Sequence, residues 1–312
     1  MRFNNRVTQM LGVDIPIVQA PMGWIARSPL ASAVSKAGAM GIIETSSGEL
    51  DAIRIEIQKM RELTDKPFGV NIAQAFVRDP SIVDFVVEQG IQFVSTSAGS
   101  PTKYTQTLKS AGLTVFHVVP DLRSAEKAVD AGVDGLIVEG GEGGGFKSKT
   151  PVSSMVLIPM IRSRFDVPII AAGGICDGAS MAAAFALGAE GVQMGTRMVS
   201  ALESPVHEGW KNAIVDATDT DTVFLHSAGP CLRALRTKTT EALEKGEGEA
   251  MSTLGQGQKA VYFEGRLEEG VALSGQVAGR IESVRPVAEI ILDTVREFAE
   301  TADALTASKP LP

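Results

Sequence analysis

The residues of this chain best placed to do chemistry lie in short turns that follow apolar runs. Ile17 to Ala20 leads into Pro21, Met22 and Gly23, and Phe68 to Asn71 ends on an amide. Gly135 to Glu139 opens into a glycine-rich loop from Gly140 to Gly145. Pro168 to Ala172 gives Gly173-Gly174, and Gly191 to Met194 gives Gly195-Thr196. Bare backbone N–H groups at two successive glycine turns, with the Thr196 hydroxyl beside them, form the donor set that a phosphate needs. Either glycine pair alone also serves a tight turn, and it is the recurrence at two neighbouring turns that points to a ligand. Ala20, Pro21 and Met22 offer a flat apolar platform, and Asn71 offers amide donors and acceptors to a polar ring edge. A phosphate with a ring attached suits a flavin. A dinucleotide turn of the Rossmann type is disfavoured, because these glycines follow late apolar runs rather than the first.

Those turns must be held at one end of a parallel sheet. Eight candidate strands run Ile17 to Ala20, Gly41 to Glu44, Phe68 to Asn71, Gln92 to Thr96, Thr114 to Val118, Gly135 to Glu139, Pro168 to Ala172 and Gly191 to Met194. Their near-continuous apolar character fits strands buried on both faces. Between them lie helical patterns at Pro29 to Ala37, Leu50 to Leu63, Pro80 to Gln89, Pro101 to Ala111, Ser124 to Ala131, Ser154 to Phe165 and Ala179 to Leu187, several closed by a glycine cap. The alternation, without an internal repeat, predicts an α/β fold: a (β/α)8 TIM barrel whose functional groups sit at the C-terminal ends of the strands.

After Met198 the rhythm changes. Residues 203–280 show no strand–helix alternation and are read as a mainly helical segment covering the barrel mouth, with 1–202 and 281–312 forming the barrel. Val287, Ile290, Ile291, Val295 and Phe298 have the spacing of a last outer helix.

Three histidines are present. His117 lies near the end of the fifth strand, where an imidazole suits proton transfer, although strand alternation allows only one of His117 and Val118 to face the mouth. His207 reads as a helix-start or surface residue, and His226, beside Val223 to Leu225, as a packing group. Glu142 and Lys147 lie in the glycine loop, where they could approach substrate, but read rather as solvated loop charges. Cys176 and Cys231 fit neither a disulfide framework nor a metal-ligand spacing, so no metal is expected, and Cys176 is expected to be inert.

A formal charge of -8 with no basic cluster opposes nucleic acid and anionic membranes as partners. No apolar stretch near the amino terminus resembles a signal peptide, and no run of about 18 apolar residues could span a bilayer. The expected location is cytoplasmic and the expected partners are small molecules.

The stretches Gln19-Ala20-Pro21-Met22, Phe68-Gly69-Val70-Asn71, Glu139-Gly140-Gly141-Glu142-Gly143-Gly144, Ala171-Ala172-Gly173-Gly174-Ile175 and Gln193-Met194-Gly195-Thr196-Arg197 resemble the nitronate monooxygenase family, formerly called 2-nitropropane dioxygenases. The likeness continues to Ser274-Gly275-Gln276-Val277-Ala278-Gly279, nearly the whole chain. Relatives of that family include flavin-dependent enoyl-acyl-carrier-protein reductases and NADH:quinone reductases. The resemblance implies FMN as cofactor, with Met22 behind the isoalloxazine, Asn71 bonded to it, and Glu139 and Gly144 along it. Gly174, Gln193, Met194, Gly195 and Thr196 would hold the ribityl phosphate, and Gln276 would lie near the substrate.

Many members carry a histidine directly after the glycine pair of the sixth-strand loop, where this chain has Gly145. Without that base, a substrate already in its anionic nitronate form is expected, oxidised with dioxygen to a carbonyl compound and nitrite. The alternatives are an NAD(P)H-dependent flavin reductase of quinones or enoyl thioesters, and a barrel that binds a phosphorylated ligand without redox chemistry.

Overall fold

The structure is a computed structural model that describes residues 2–227 and 229–308. Eight parallel strands form the barrel: β1 (Ile17–Gln19), β2 (Gly41–Glu44), β3 (Phe68–Ala73), β4 (Phe93–Ser97), β5 (Thr114–Val119), β6 (Gly135–Glu139), β8 (Ile169–Ala172) and β9 (Gly191–Met194). Their order, β1-β9-β8-β6-β5-β4-β3-β2, is that of a barrel wall, and a parallel bridge between Val18 and Met40 brings the two end strands together. The expected TIM barrel is therefore the observed fold.

Side-chain alternation sorts each strand into two cores. Met40, Ile42, Phe93, Phe116, Ile137 and Ile170 point inward and fill the barrel, while Val70, Ile72, Val94, Val115, Val138 and Val192 point outward against the helices. Phe93 and Phe116 meet edge to face, with centroids 5.6 Å apart. Gly135 makes room for them, since a Cβ there would stand 2.3 Å from the Phe116 ring. Truncating Phe116 to Ala would cost about 3–5 kcal/mol by the usual cavity penalty.

The outer layer comprises α1 (Arg6–Leu11), α2 (Ser28–Lys36), α3 (Leu50–Leu63), α4 (Ile82–Glu88), α5 (Thr105–Ser110), α6 (Leu122–Asp130), α7 (Ser154–Arg162), α8 (Gly178–Ala186) and the short α9 (Thr196–Val199). Capping side chains fix several starts: Asp121 accepts from the Ser124 N–H at 2.7 Å, and Asp177 forms a capping box with Ser180. The helix expected over Pro101 to Ala111 is divided into a 3-10 turn at Pro101–Lys103 and α5.

The covering segment contains α10 (Glu208–Val215), α11 (Lys238–Glu244) and α12 (Ala250–Glu264), and the last outer helix is α13 (Val287–Ala307). The covering segment also holds an unexpected antiparallel hairpin, β10 (Thr222–Leu225) and β11 (Cys231–Leu235). β11 pairs in turn with β7 (Gly145–Lys147), a strand made from the end of the glycine loop. Val223 and Leu225 face a small core under Leu254 and Val271. Alternation turns His226 outward, so it is exposed and not the packing group its neighbours implied.

Candidate active site

A cavity of about 810 Å³ opens at the C-terminal ends of the strands, between the barrel and the covering segment. Pro21, Met22, Asn71, Glu139, Gly144, Gly173, Gly174, Gln193, Gly195, Thr196 and His117 all line it. Folding therefore brings together in one cavity turns that lie far apart in the chain.

Asn71, at an inward position of β3, is 2 % exposed and donates from Nδ2 to Ser95 Oγ at 3.0 Å and to the Ser95 carbonyl at 3.2 Å. Its orientation is thus fixed by the neighbouring strand. Gly173 and Gly174 have φ of +84° and +81°, the left-handed region that a side chain opposes. A Cβ on Gly173 would stand 2.8 Å from the Gly140 carbonyl, so the turn and the sixth-strand loop need each other's bare backbone. Thr196 accepts the Gly275 N–H at 2.8 Å, tying the covering segment down onto the same corner.

Two further observations fit a ring-and-phosphate ligand to these walls. Gln193 Oε1 is buried in the cavity wall without a hydrogen-bond partner, an acceptor awaiting a donor. A Cβ on Gly195 would reach only van der Waals distance from Ala20 and Met22, 3.5 and 3.9 Å, so glycine leaves a slot beside the apolar platform that a side chain would fill.

Two expected site residues are placed otherwise. Met194 alternates with Gln193 and its side chain is buried in the outer core, while its carbonyl accepts the Ala20 N–H at 2.9 Å. Gln276 is exposed and does not line the cavity; its backbone N–H is used on the Glu142 carbonyl at 2.9 Å, while Gly275 and Val277 provide the wall.

Glu142 and Lys147 are not solvated loop charges. Glu142 accepts from the N–H and hydroxyl of Ser154, both at 2.9 Å, and anchors the start of α7. The Lys147 side chain, 4 % exposed, donates to Glu139 Oε1 at 2.5 Å and to the carbonyls of Gly144 and Phe146 at 3.1 and 3.2 Å. The loop is thereby riveted to the end of β6. Neither Gly145 nor the next residue, Phe146, carries a titratable group.

His117 and Val118 both border the cavity, although strand alternation was expected to bring only one of them there; His117 is 3 % exposed, with Nδ1 2.7 Å from Thr96 Oγ1. Burial pushes its pKa down to about 4, against a smaller upward pull from a backbone hydrogen bond at Gly99, so at neutral pH it is an uncharged imidazole. Cys176 is also buried, and desolvation, with Asp177 adding to it, pushes its thiol up to about 12, as an inert role requires. His207 caps α10 by accepting the Gly209 N–H at 2.9 Å.

The sequence reading missed two groups. Glu44, ending β2, is 1 % exposed and held by Arg27 at 3.0 Å, by the Ser46 N–H and hydroxyl at 2.7 Å, and by the Trp24 N–H at 3.2 Å. Its position at a strand end, followed by Thr45, Ser46 and Ser47, was the available signal. Tyr262 of α12 also lines the cavity, packed on Trp210 at 4.8 Å. Burial pushes its phenol up to about 12, so the O–H is retained at neutral pH. Nothing local in the sequence of α12 marks it.

Residues 4–297 match the family model for nitronate monooxygenase. The chain is 32% identical, over 98% of its length and 99% of the relative, to "(3aS,4S,5R,7aS)-5-hydroxy-7a-methyl-1-oxo-octahydro-1H-indene-4-carboxyl-CoA dehydrogenase" of Mycobacterium tuberculosis. It is 28% identical to a nitronate monooxygenase of Paraburkholderia phytofirmans, with 95% of each chain covered. Among solved structures, FabK from Thermotoga maritima is 40% identical with a TM-score of 0.92, the match covering 98% of this chain and 100% of that one. No helix among the described residues is long and apolar enough to cross a membrane.

Proposed function

Because this chain belongs to the nitronate monooxygenase family, a family of flavin-dependent oxidoreductases, we propose that it binds FMN in the barrel mouth and uses NAD(P)H to reduce an enoyl thioester. The observation that carries this reading is the extent of the cavity. Its wall runs from the glycine turns after β8 and β9 to Ser124 and Lys127 on α6, which follows β5, three strand positions round the barrel from β9. A small nitronate needs only the part beside the flavin ring, whereas an acyl chain and its thioester arm use the rest. The likeness to FabK and to the CoA dehydrogenase supports the same substrate class.

FMN, when bound, supplies a two-electron carrier between the nicotinamide and the alkene. The glycine turns at Gly173-Gly174 and Gly195, with Thr196, would hold its phosphate; Pro21 and Met22 would back the ring, and Asn71 and Gln193 would meet its polar edge. Overall, NAD(P)H and one proton become NAD(P)+ while the carbon–carbon double bond is saturated. That proton needs an O–H or N–H donor at the cavity wall. His117, with a pKa of about 4, is not an imidazolium at neutral pH, and its Nδ1 is engaged with Thr96 Oγ1; we assign the donor role to the Tyr262 hydroxyl, which belongs to the cavity wall and stays protonated. His117, bonded to Thr96, positions the end of β5.

The test is anaerobic NADH or NADPH oxidation upon addition of but-2-enoyl-CoA, with butanoyl-CoA identified as product. Stoichiometric conversion supports the reading, and absence of conversion by flavin-loaded protein rejects it. Nitronate oxidation is the second reading, favoured by the bare Gly145 and apolar Phe146, since an anionic nitronate needs no base. A preparation that neither retains nor rebinds FMN would reject both in favour of a non-redox phosphate-binding barrel.

A further inference from the structure

The open end of the cavity has a charge that the rest of the molecule does not lead one to expect. The chain carries 37 acidic and 29 basic residues, yet a lysine of α6 stands in the cavity wall and three more cations adjoin the residues or elements of that end. Lys127 lines the cavity, with Ser124 one turn before it and Ser100 opposite, on the loop after β4. Arg123 adjoins Ser124, Lys103 closes the 3-10 turn that packs against α6, and Lys149 follows the cavity-lining Ser148. All four side chains are exposed. Among the described residues none of them is in an ion pair, and Lys103 rests on the Tyr104 ring at 4.8 Å.

Two acidic groups at this end of α6 are already engaged. Asp121 is committed to the Ser124 N–H as the helix cap, and Glu126 pairs with Arg164 at 3.6 Å on the side facing α7. The helix end itself is therefore closed to an anion by its own aspartate, and binding there must come from side chains. Lysine and arginine at an open rim provide point charges and a guanidinium fork for phosphate oxygens, with serine hydroxyls as further donors.

One cavity thus has two ends suited to phosphate. The inner end, at the glycine turns, is where the flavin phosphate would sit. We propose that the outer end, lined by Lys127, Ser124 and Ser100, receives the phosphate or pyrophosphate on the carrier arm of the thioester substrate. This rests on the thioester reading above and adds where the arm leaves the cavity and what grips it. The acyl group enters beneath the covering segment, and the arm trails out over α6. The rim thereby selects thioesters with a phosphorylated arm over uncharged thioesters of the same acyl group.

The experiment compares but-2-enoyl-CoA with the but-2-enoyl thioester of N-acetylcysteamine, which has the same reacting group and no phosphate. In the parent protein kcat/KM should favour the CoA thioester, and the preference should shrink as salt is raised. Charge reversal by Lys127→Glu should reduce the ratio of the two kcat/KM values by about tenfold, the size of one lost charge-assisted contact. Lys127→Arg should restore it, and flavin content in both variants reports that the barrel is intact. An unchanged ratio in Lys127→Glu overturns the proposal, as does an effect confined to the KM for NAD(P)H, which would give the rim to the reductant. Failure of the enzymatic reading is distinguishable, because then neither thioester is turned over by the parent protein.

Discussion

Lys147 Nζ lies 2.5 Å from Glu139 Oε1, linking the strand that ends in the glycine loop to the strand that the same loop becomes. The ammonium is almost wholly enclosed and its other bonds go to loop carbonyls, so the pair shapes the cavity wall. Replacing Lys147 with Met leaves a carboxylate facing bare carbonyls, and this should destabilise the protein by about 3 kcal/mol. Denaturant titration of Lys147→Met against Glu139→Gln/Lys147→Met checks it, the double variant recovering much of the loss because no unpaired charge remains.

The glycine turn after β8 gives a second expectation. Gly173→Ala puts a Cβ against the Gly140 carbonyl at a φ of +84°, whereas Gly145→Ala, at +82°, meets nothing within 4 Å. Both carry left-handed strain of about 1–2 kcal/mol, but only the first displaces the loop that borders the proposed phosphate corner. Flavin retained per protein after gel filtration should fall sharply in Gly173→Ala and little in Gly145→Ala.

His117 sets a pH dependence of stability. Its pKa is depressed from 6.5 to about 4 by burial, so between those values the unfolded chain binds a proton that the folded protein does not. Stability should rise with pH through that window, be fully present above about 6.5, and decline as pH falls toward 4, by up to about 3 kcal/mol. Unfolding free energy measured at several pH values should show a smaller slope in His117→Gln than in the parent protein.

Tyr262→Phe removes the proposed donor while keeping the packing against Trp210. A loss of about 100-fold in kcat is expected, with flavin reduction by NAD(P)H at its original rate. An equal loss in the flavin-reduction step would instead mean that the tyrosine shapes the cofactor site.

The sequence was most legible where a single segment carried its own signal. Gly41–Glu44 and Gly135–Glu139 were bounded correctly because fully buried parallel strands are apolar throughout and end at turn residues. The glycine turns at 173–174 and 195 were legible for the same reason. The hairpin at Thr222–Leu225 was missed because four residues give too short an alternation, and its third strand, Gly145–Lys147, has no apolar run at all. Lys147 looked like a solvated loop charge, since its pairing with Glu139 is made by a chain reversal that leaves no periodic trace. Tyr262 and Lys127 enter the cavity only through tertiary placement, on α12 and α6, and helical periodicity reports which face is apolar, not what that face covers.

The most direct test of the central claim is an anaerobic stopped-flow record of flavin absorbance in the purified protein, mixed separately with NADH, NADPH and propionate 3-nitronate. Rapid bleaching by a nicotinamide, reversed on addition of but-2-enoyl-CoA, is the predicted result. Bleaching by the nitronate alone would contradict the reductase account and assign the cavity to nitronate oxidation.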